Sequence, residues 1–141
     1  MLPFVLDTSL TLSWCFADEA TGLGLFAYSV LRRRLTFAVA PDLWPFELAN
    51  GLAIAERRGR IDASQIAAFL EDLRELPIHV ERREAIWICS ELTVLSRRSQ
   101  LSAYDAAYLS LAQRERAPLA TLDEELRRAA TAAGIPLLQA P

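Results

Sequence analysis

Four acidic residues, Asp7, Glu47, Asp105 and Asp123, stand where a carboxylate could do chemistry. Asp7 closes the short apolar run at residues 3–6 (PFVL), and Asp123 follows the run APLAT that ends at Thr121. Both patterns read as a buried strand followed by an acid. Asp105 falls in the first turn of a helix that Ser102 opens. Glu47 lies between Phe46 and Leu48 in a helical pattern that is otherwise apolar until Glu56, with Asn50 and Gly51 on the same face. An ionised group there needs a partner. The nearest arginines in the sequence, Arg57 and Arg58, are too far along the helix.

Each acid alone has a plain structural use. Asp7 could cap a helix beginning at Thr8. Ser102-Ala-Tyr-Asp105 is arranged like a capping box. Asp123 in a first turn suits the helix dipole, and Glu47 could extend its stem to solvent. The conjunction is what counts. Several carboxylates converging without a base repel one another, and a divalent cation relieves that repulsion. Hard cations such as Mg²⁺ and Mn²⁺ take oxygen ligands of this kind and keep several waters.

The elements that must position these acids can be read from periodicity. Strand signals lie at residues 3–6, 36–40, 78–80, 117–121 and 135–138. Helical patterns cover about 8–16, 19–34, 43–58, 62–74, 83–96, 102–114 and 123–133. Pro45 is tolerated in a first turn, Gly59 ends that helix, and Asp62 caps the next. The helix after Asp62 carries a stripe of Ile66, Phe69, Leu70 and Leu73 that should be buried. The alternation predicts one α/β domain over residues 1–141. It has three layers, with a central, mainly parallel sheet of four to five strands flanked by helices. Ligand sites in such sheets form at the carboxyl ends of the strands, where Asp7 and Asp123 belong. Asp105 joins them if its helix begins at that edge, which the long helical stretch before it allows.

Bulk properties narrow the chemistry. With 52% hydrophobic and 23% charged residues the chain can build a core without a disulfide or structural metal. No apolar run is long enough to span a membrane. The start, MLPFVLDTSL, lacks a basic segment and reads as a poor signal peptide, so a cytoplasmic protein is expected. Cys15 and Cys89 sit in apolar helical patterns and read as reduced core thiols. One His and two Cys do not make a zinc site. His79, between Ile78 and Val80, reads as a surface edge residue rather than a base. The net charge of −3 argues against a generic basic nucleic-acid binder.

All 15 basic residues are arginine. Without lysine, P-loop NTPases, Schiff-base enzymes and Ser–Lys nucleophiles are excluded, as is a receiver-type phosphoacceptor. A haloacid-dehalogenase-type phosphatase wants a second Asp two residues after Asp7, where Ser9 stands. The glycines at 22 and 24 match a dinucleotide fingerprint in letters, but they follow a helix-like segment rather than a strand. The arginine clusters at 32–34, 57–58, 97–98 and at Arg114 and Arg116 fall near helix C-termini, where they complement the dipole. Some could also hold phosphates. Trp44, Phe46 and Trp87 could line a partner groove or pack in the core.

At the four acids the sequence resembles the PIN-domain ribonuclease family, and within it the VapC-type toxins of toxin–antitoxin pairs. VLDTSLTLSWCFADE resembles the family's first strand and helix. PFELANGL resembles its Glu-x-x-Asn helix, LSAYDAAYLSLA its Asp-containing helix, and APLATLDEELRRAA its Thr-x-Asp strand end and final helix. The four blocks occur in order at fitting separations. The resemblance carries the family's acids to Asp7, Glu47, Asp105 and Asp123, its supporting hydroxyls to Ser9 and Thr121, and its helix amide to Asn50. Glu124 reads as a capping partner of Thr121.

The resemblance implies Mg²⁺ or Mn²⁺ in the acidic pocket, RNA as substrate, a cognate antitoxin that blocks the site, and a homodimer. The chemistry to expect is metal-assisted phosphodiester hydrolysis. Asp7 and Asp105 would be the principal ligands, with Glu47 and Asp123 completing a second position or orienting water. Two alternatives stand beside this reading: a PIN-like nuclease of RNA maturation, and a catalytically silent partner-binding domain.

Overall fold

The computed structural model describes residues 1–141. Its centre is a four-stranded parallel sheet, order β3-β2-β1-β4, formed by β1 (Phe4–Leu6), β2 (Ala38–Ala40), β3 (Ile78–Val80) and β4 (Leu119–Ala120). Phe4, Val5 and Leu6 are completely buried, as a central parallel strand covered on both faces must be. β1 sits between the first strand to follow it, with Phe4 opposite Ala38, and the last strand in the chain, with Val5 opposite Leu119. That order places the chain leaving β1 next to the chain leaving β4.

Helices flank the sheet to give three layers: α1 (Thr8–Ser13), α2 (Gly22–Arg32), α3 (Trp44–Arg57), α4 (Ala63–Arg74), α5 (Ala85–Ser99), α6 (Ala103–Glu115) and α7 (Glu124–Ala132). Their starts are set by side-chain caps. Asp7, Thr21, Ser102 and Asp123 each accept a backbone N–H of the first turn, and Asp62 and Gln65 form a reciprocal capping box. Pro45 occupies the first turn of α3. Gly134, just past α7, takes a positive φ of 70° that its missing Cβ permits. A single apolar cluster of 25 buried residues joins β1 to residues of α2, α3, α6, β4 and α7.

Several expectations need correction. The strands are shorter than their apolar runs, because parallel pairing ends where the chain turns toward each helix. Residues 135–138 form no full strand; Leu137 makes one bridge to Leu119, flanked by backbone bonds from Leu119 to Pro136 and from Leu138 to Leu119. α1 stops at Ser13, and a separate 3-10 turn, Ala17–Glu19, precedes α2. The α4 stripe is only partly covered: Leu73 is buried, but Leu70 is 46% exposed beside an open apolar groove against α3. Cys89 is exposed and Cys15 half-buried, so neither is a core thiol. Trp44 is buried and donates to Thr11 Oγ1 at 3.1 Å, whereas Phe46 and Trp87 face solvent.

Candidate functional site

The carboxyl edge of the sheet gathers the acids. Asp7, the residue after β1, is buried, and its backbone N–H is held by the Ala120 carbonyl at the end of β4. Its side chain accepts from Ser9 Oγ at 2.5 Å, from Thr121 Oγ1 at 2.6 Å, and from Ser9 N at 3.3 Å. All three fall on Oδ2. Ser9 Oγ in turn accepts from Leu122 N, and Thr121 Oγ1 from Asp123 N. Two hydroxyls thereby tie the chain after β1 to the chain after β4 and fix the carboxylate between them.

Glu47 projects from the first turn of α3 and is half-buried. Its Oε1 accepts from Tyr108 Oη at 2.6 Å and from Thr8 Oγ1 at 3.3 Å. Both bonds fall on this one oxygen. Asp105, in the first turn of α6, is half-buried, and its side chain takes part in no hydrogen bond; only its backbone N–H is used, by the Ser102 cap. Asp123 is exposed and caps α7 by accepting Leu126 N on Oδ1. Each of the four acids therefore keeps at least one oxygen free of protein donors.

The carboxylates lie near enough to raise one another's ionisation. Burial holds the Asp7 carboxyl above the usual range against the pull of the Ser9 and Thr121 hydroxyls. Burial also raises Glu47, with the Asp7 and Asp105 charges adding to it and the Tyr108 and Thr8 hydrogen bonds opposing it. Asp105 is raised by burial and then by the charges of Asp123, Asp7 and Glu125. No arginine neutralises the group: none of the ion pairs in the molecule includes any of the four. Nor do any three acids stand close enough to grip a bare ion between them. The arrangement is an open cluster of carboxylates at the sheet edge, offering hard oxygen donors.

Among the supporting residues proposed from sequence, Ser9 and Thr121 contact Asp7 directly. Asn50 is exposed one turn beyond Glu47, and its side chain bonds to nothing. Glu124 does not cap Thr121; it is paired with Arg127 at 3.7 Å, while Asp123 does the capping. His79 lies exposed on the edge strand, edge-on to Phe37. Three groups were missed. Tyr108 and Thr8 hold Glu47, and Glu125 adds a fifth negative charge near Asp105. Thr8 adjoins Asp7 and Tyr108 lies one turn after Asp105, a spacing that could have flagged both.

A family model described as "PIN domain" matches residues 4–132. The chain belongs to the PIN domain family. Within it the chain is of the VapC type. It is 32% identical over 103 residues to Ribonuclease VapC3 of Mycobacterium tuberculosis, a match covering 72% of each chain. It is 31% identical over 85 residues to Ribonuclease VapC3 of Pyrobaculum aerophilum, spanning 60% of this chain and 65% of that one. The crystal structure of PAE2754 from Pyrobaculum aerophilum shares this PIN fold with a TM-score of 0.68 at 19% identity, over 91% of this chain and 79% of that one. That of FitAcB from Neisseria gonorrhoeae does so with a TM-score of 0.63 at 14% identity, over 99% and 97%.

Proposed function

We propose that this PIN domain is a divalent-metal-dependent endoribonuclease and the toxin of a toxin–antitoxin pair. The observation that carries the reading is the set of free oxygens: four carboxylates converge at one sheet edge, each with an oxygen unclaimed by protein, and no arginine among them. The donor set fits Mg²⁺ or Mn²⁺, which favour oxygen ligands and retain water. Asp7 and Asp105 would hold the ion directly, with Glu47 and Asp123 reaching it through water.

A bound divalent ion would supply charge to the developing phosphorane oxygens and make water a stronger nucleophile near neutral pH. The chain's own residues do the positioning. Ser9 and Thr121 lock Asp7 by its Oδ2 so that Oδ1 stays presented. Glu47 is held in the same way by its Oε1. RNA as the substrate is supported by the VapC relatives, which are named ribonucleases. The antitoxin partner and a homodimer belong to the same reading. No helix is long and apolar enough to cross a membrane.

The test is cleavage of RNA by purified protein. Activity should vanish on chelation and return with Mg²⁺ or Mn²⁺. Asp7→Asn and Asp105→Asn should each lower cleavage by about 10²- to 10³-fold with the fold intact, the range one well-placed electrostatic group is worth. Undiminished cleavage by wild-type protein in metal-free buffer would reject the mechanism.

A further inference from the structure

The acids of the cluster are served by hydroxyls, and the hydroxyls on Glu47 have no counterpart in the assigned set. Tyr108 is completely buried within the main core, yet its Oη lies 2.6 Å from Glu47 Oε1 and 2.9 Å from Thr8 Oγ1. A buried phenol without a partner would be costly; this one has two partners, both at the acidic cluster. Tyrosine has one proton to give, and the carboxylate can only accept. The Tyr108 proton therefore goes to Glu47, and the single Thr8 proton is shared between Glu47 Oε1 and the Tyr108 oxygen.

The resulting cluster of Thr8, Tyr108 and Glu47 links α1, α6 and α3. Thr8 begins α1 directly after Asp7. Glu47 belongs to α3. Tyr108 lies on α6 three residues beyond Asp105, on the same helix face. Because both bonds occupy Oε1, Oε2 accepts no hydrogen bond from the protein. We infer that Tyr108 is a positioning residue for the metal site: its hydroxyl, oriented by Thr8, holds Glu47 so that the free carboxylate oxygen points at the ion. The inference rests on the metal-dependent reading above.

Tyr108→Phe keeps the ring and removes only the hydroxyl. Mn²⁺ binding to metal-free protein, measured by titration calorimetry at fixed pH, should weaken about 10- to 100-fold, the usual effect of losing an outer-shell partner. Glu47→Gln should also weaken binding. Adding Tyr108→Phe to it should change affinity by less than about twofold, because the hydroxyl acts through Glu47. Wild-type affinity in folded Tyr108→Phe protein, or full additivity of the two changes, overturns the assignment. Should Tyr108→Phe fail to fold, Thr8→Val carries the test: it should lower Mn²⁺ affinity too, and unchanged affinity there overturns the assignment. If the wild-type protein itself binds no Mn²⁺, the metal reading falls and this inference with it. That result is separate from loss of the Tyr108 effect alone.

Discussion

Asp7, Glu47 and Asp105 are all held above the ordinary carboxylate range, whose reference values here are 3.8 for Asp and 4.5 for Glu. A raised value means that the native state keeps the proton more tightly than the unfolded chain. The stability this contributes is complete below the reference values and is lost as pH rises through the native ones. Glu91 works in the opposite sense: paired with Arg83, its carboxyl is lowered, and it loses its contribution only as pH falls below the reference value. Above the reference values the raised acids therefore set the slope. Metal-free protein should melt at a higher temperature at pH 5 than at pH 7, as followed by circular dichroism, and saturating Mn²⁺ should flatten the difference. By the same logic Asp105→Asn, which removes an unpaired and repelled charge, should raise the metal-free melting temperature at pH 7 by roughly 2 to 4 °C, the shift about 1 kcal/mol produces in a chain this size. It would do so while lowering cleavage. The acids of the cluster were legible in sequence because Asp7 and Asp123 follow apolar strand runs and Glu47 interrupts an apolar helix face. Tyr108 was not, because an aromatic in an apolar helix reads as core, and core it is; only its hydroxyl differs. Its partner Glu47 lies 61 residues away, and no local pattern reports that α3 and α6 meet there.

At the scale of elements, capping and turn chemistry were readable because they are local: Asp62, Ser102, Gly59 and Gly134 all mark helix ends where expected. What sequence could not supply was how far each apolar run would pair or be covered. Residues 135–138 have strand composition but find only Leu119 to bridge, and Leu70 has the right helical phase but no element above it. Gly51 shows how phase can mislead about purpose. It shares Glu47's helical face and so resembles an opening beside the acid. In the structure, an added Cβ there would come within 2.6 Å of Leu12 Cδ1. Its role is to let α3 lie close against α1, the two elements that carry Glu47 and follow Asp7. Gly51→Val should therefore destabilise the protein by about 1 to 3 kcal/mol, the range for overpacking a close contact, as measured by urea unfolding. Gly51→Ala should cost less, because the tip of Leu12 can shift and alanine is the better helix former.

At the scale of the molecule, the proposed function asks how a chain of net charge −3 with an acidic cluster would dock a polyanion. Much of its arginine is already committed. Arg114 is bidentate to Glu81 at 2.8 and 2.9 Å, Arg60 holds Asp18 and stacks on Phe16, and Arg83 pairs with Glu91. Arg97 and Arg98 are different: both are exposed in the last turn of α5, and neither guanidinium makes a hydrogen bond or ion pair. α5 and α6 fold back on one another through residues 100–102, with Gln100 in the left-handed region, so this pair stands at the same end of the helical hairpin as Asp105. A positive edge beside an acidic cluster can hold flanking phosphates while the acids hold the ion. Each phosphate contact to a single strand contributes about 0.7 to the slope of log K against log salt. In an Asp105→Asn background, the Arg97→Glu/Arg98→Glu double variant should bind RNA more weakly and with a slope shallower by about 0.7 to 1.4, as read by fluorescence anisotropy across a salt series. Its stability should change little, since only interactions with the α5 dipole are lost. An unchanged slope would confine this pair to that dipole role and direct the search for the docking edge to Arg57 and Arg58, at the end of α3.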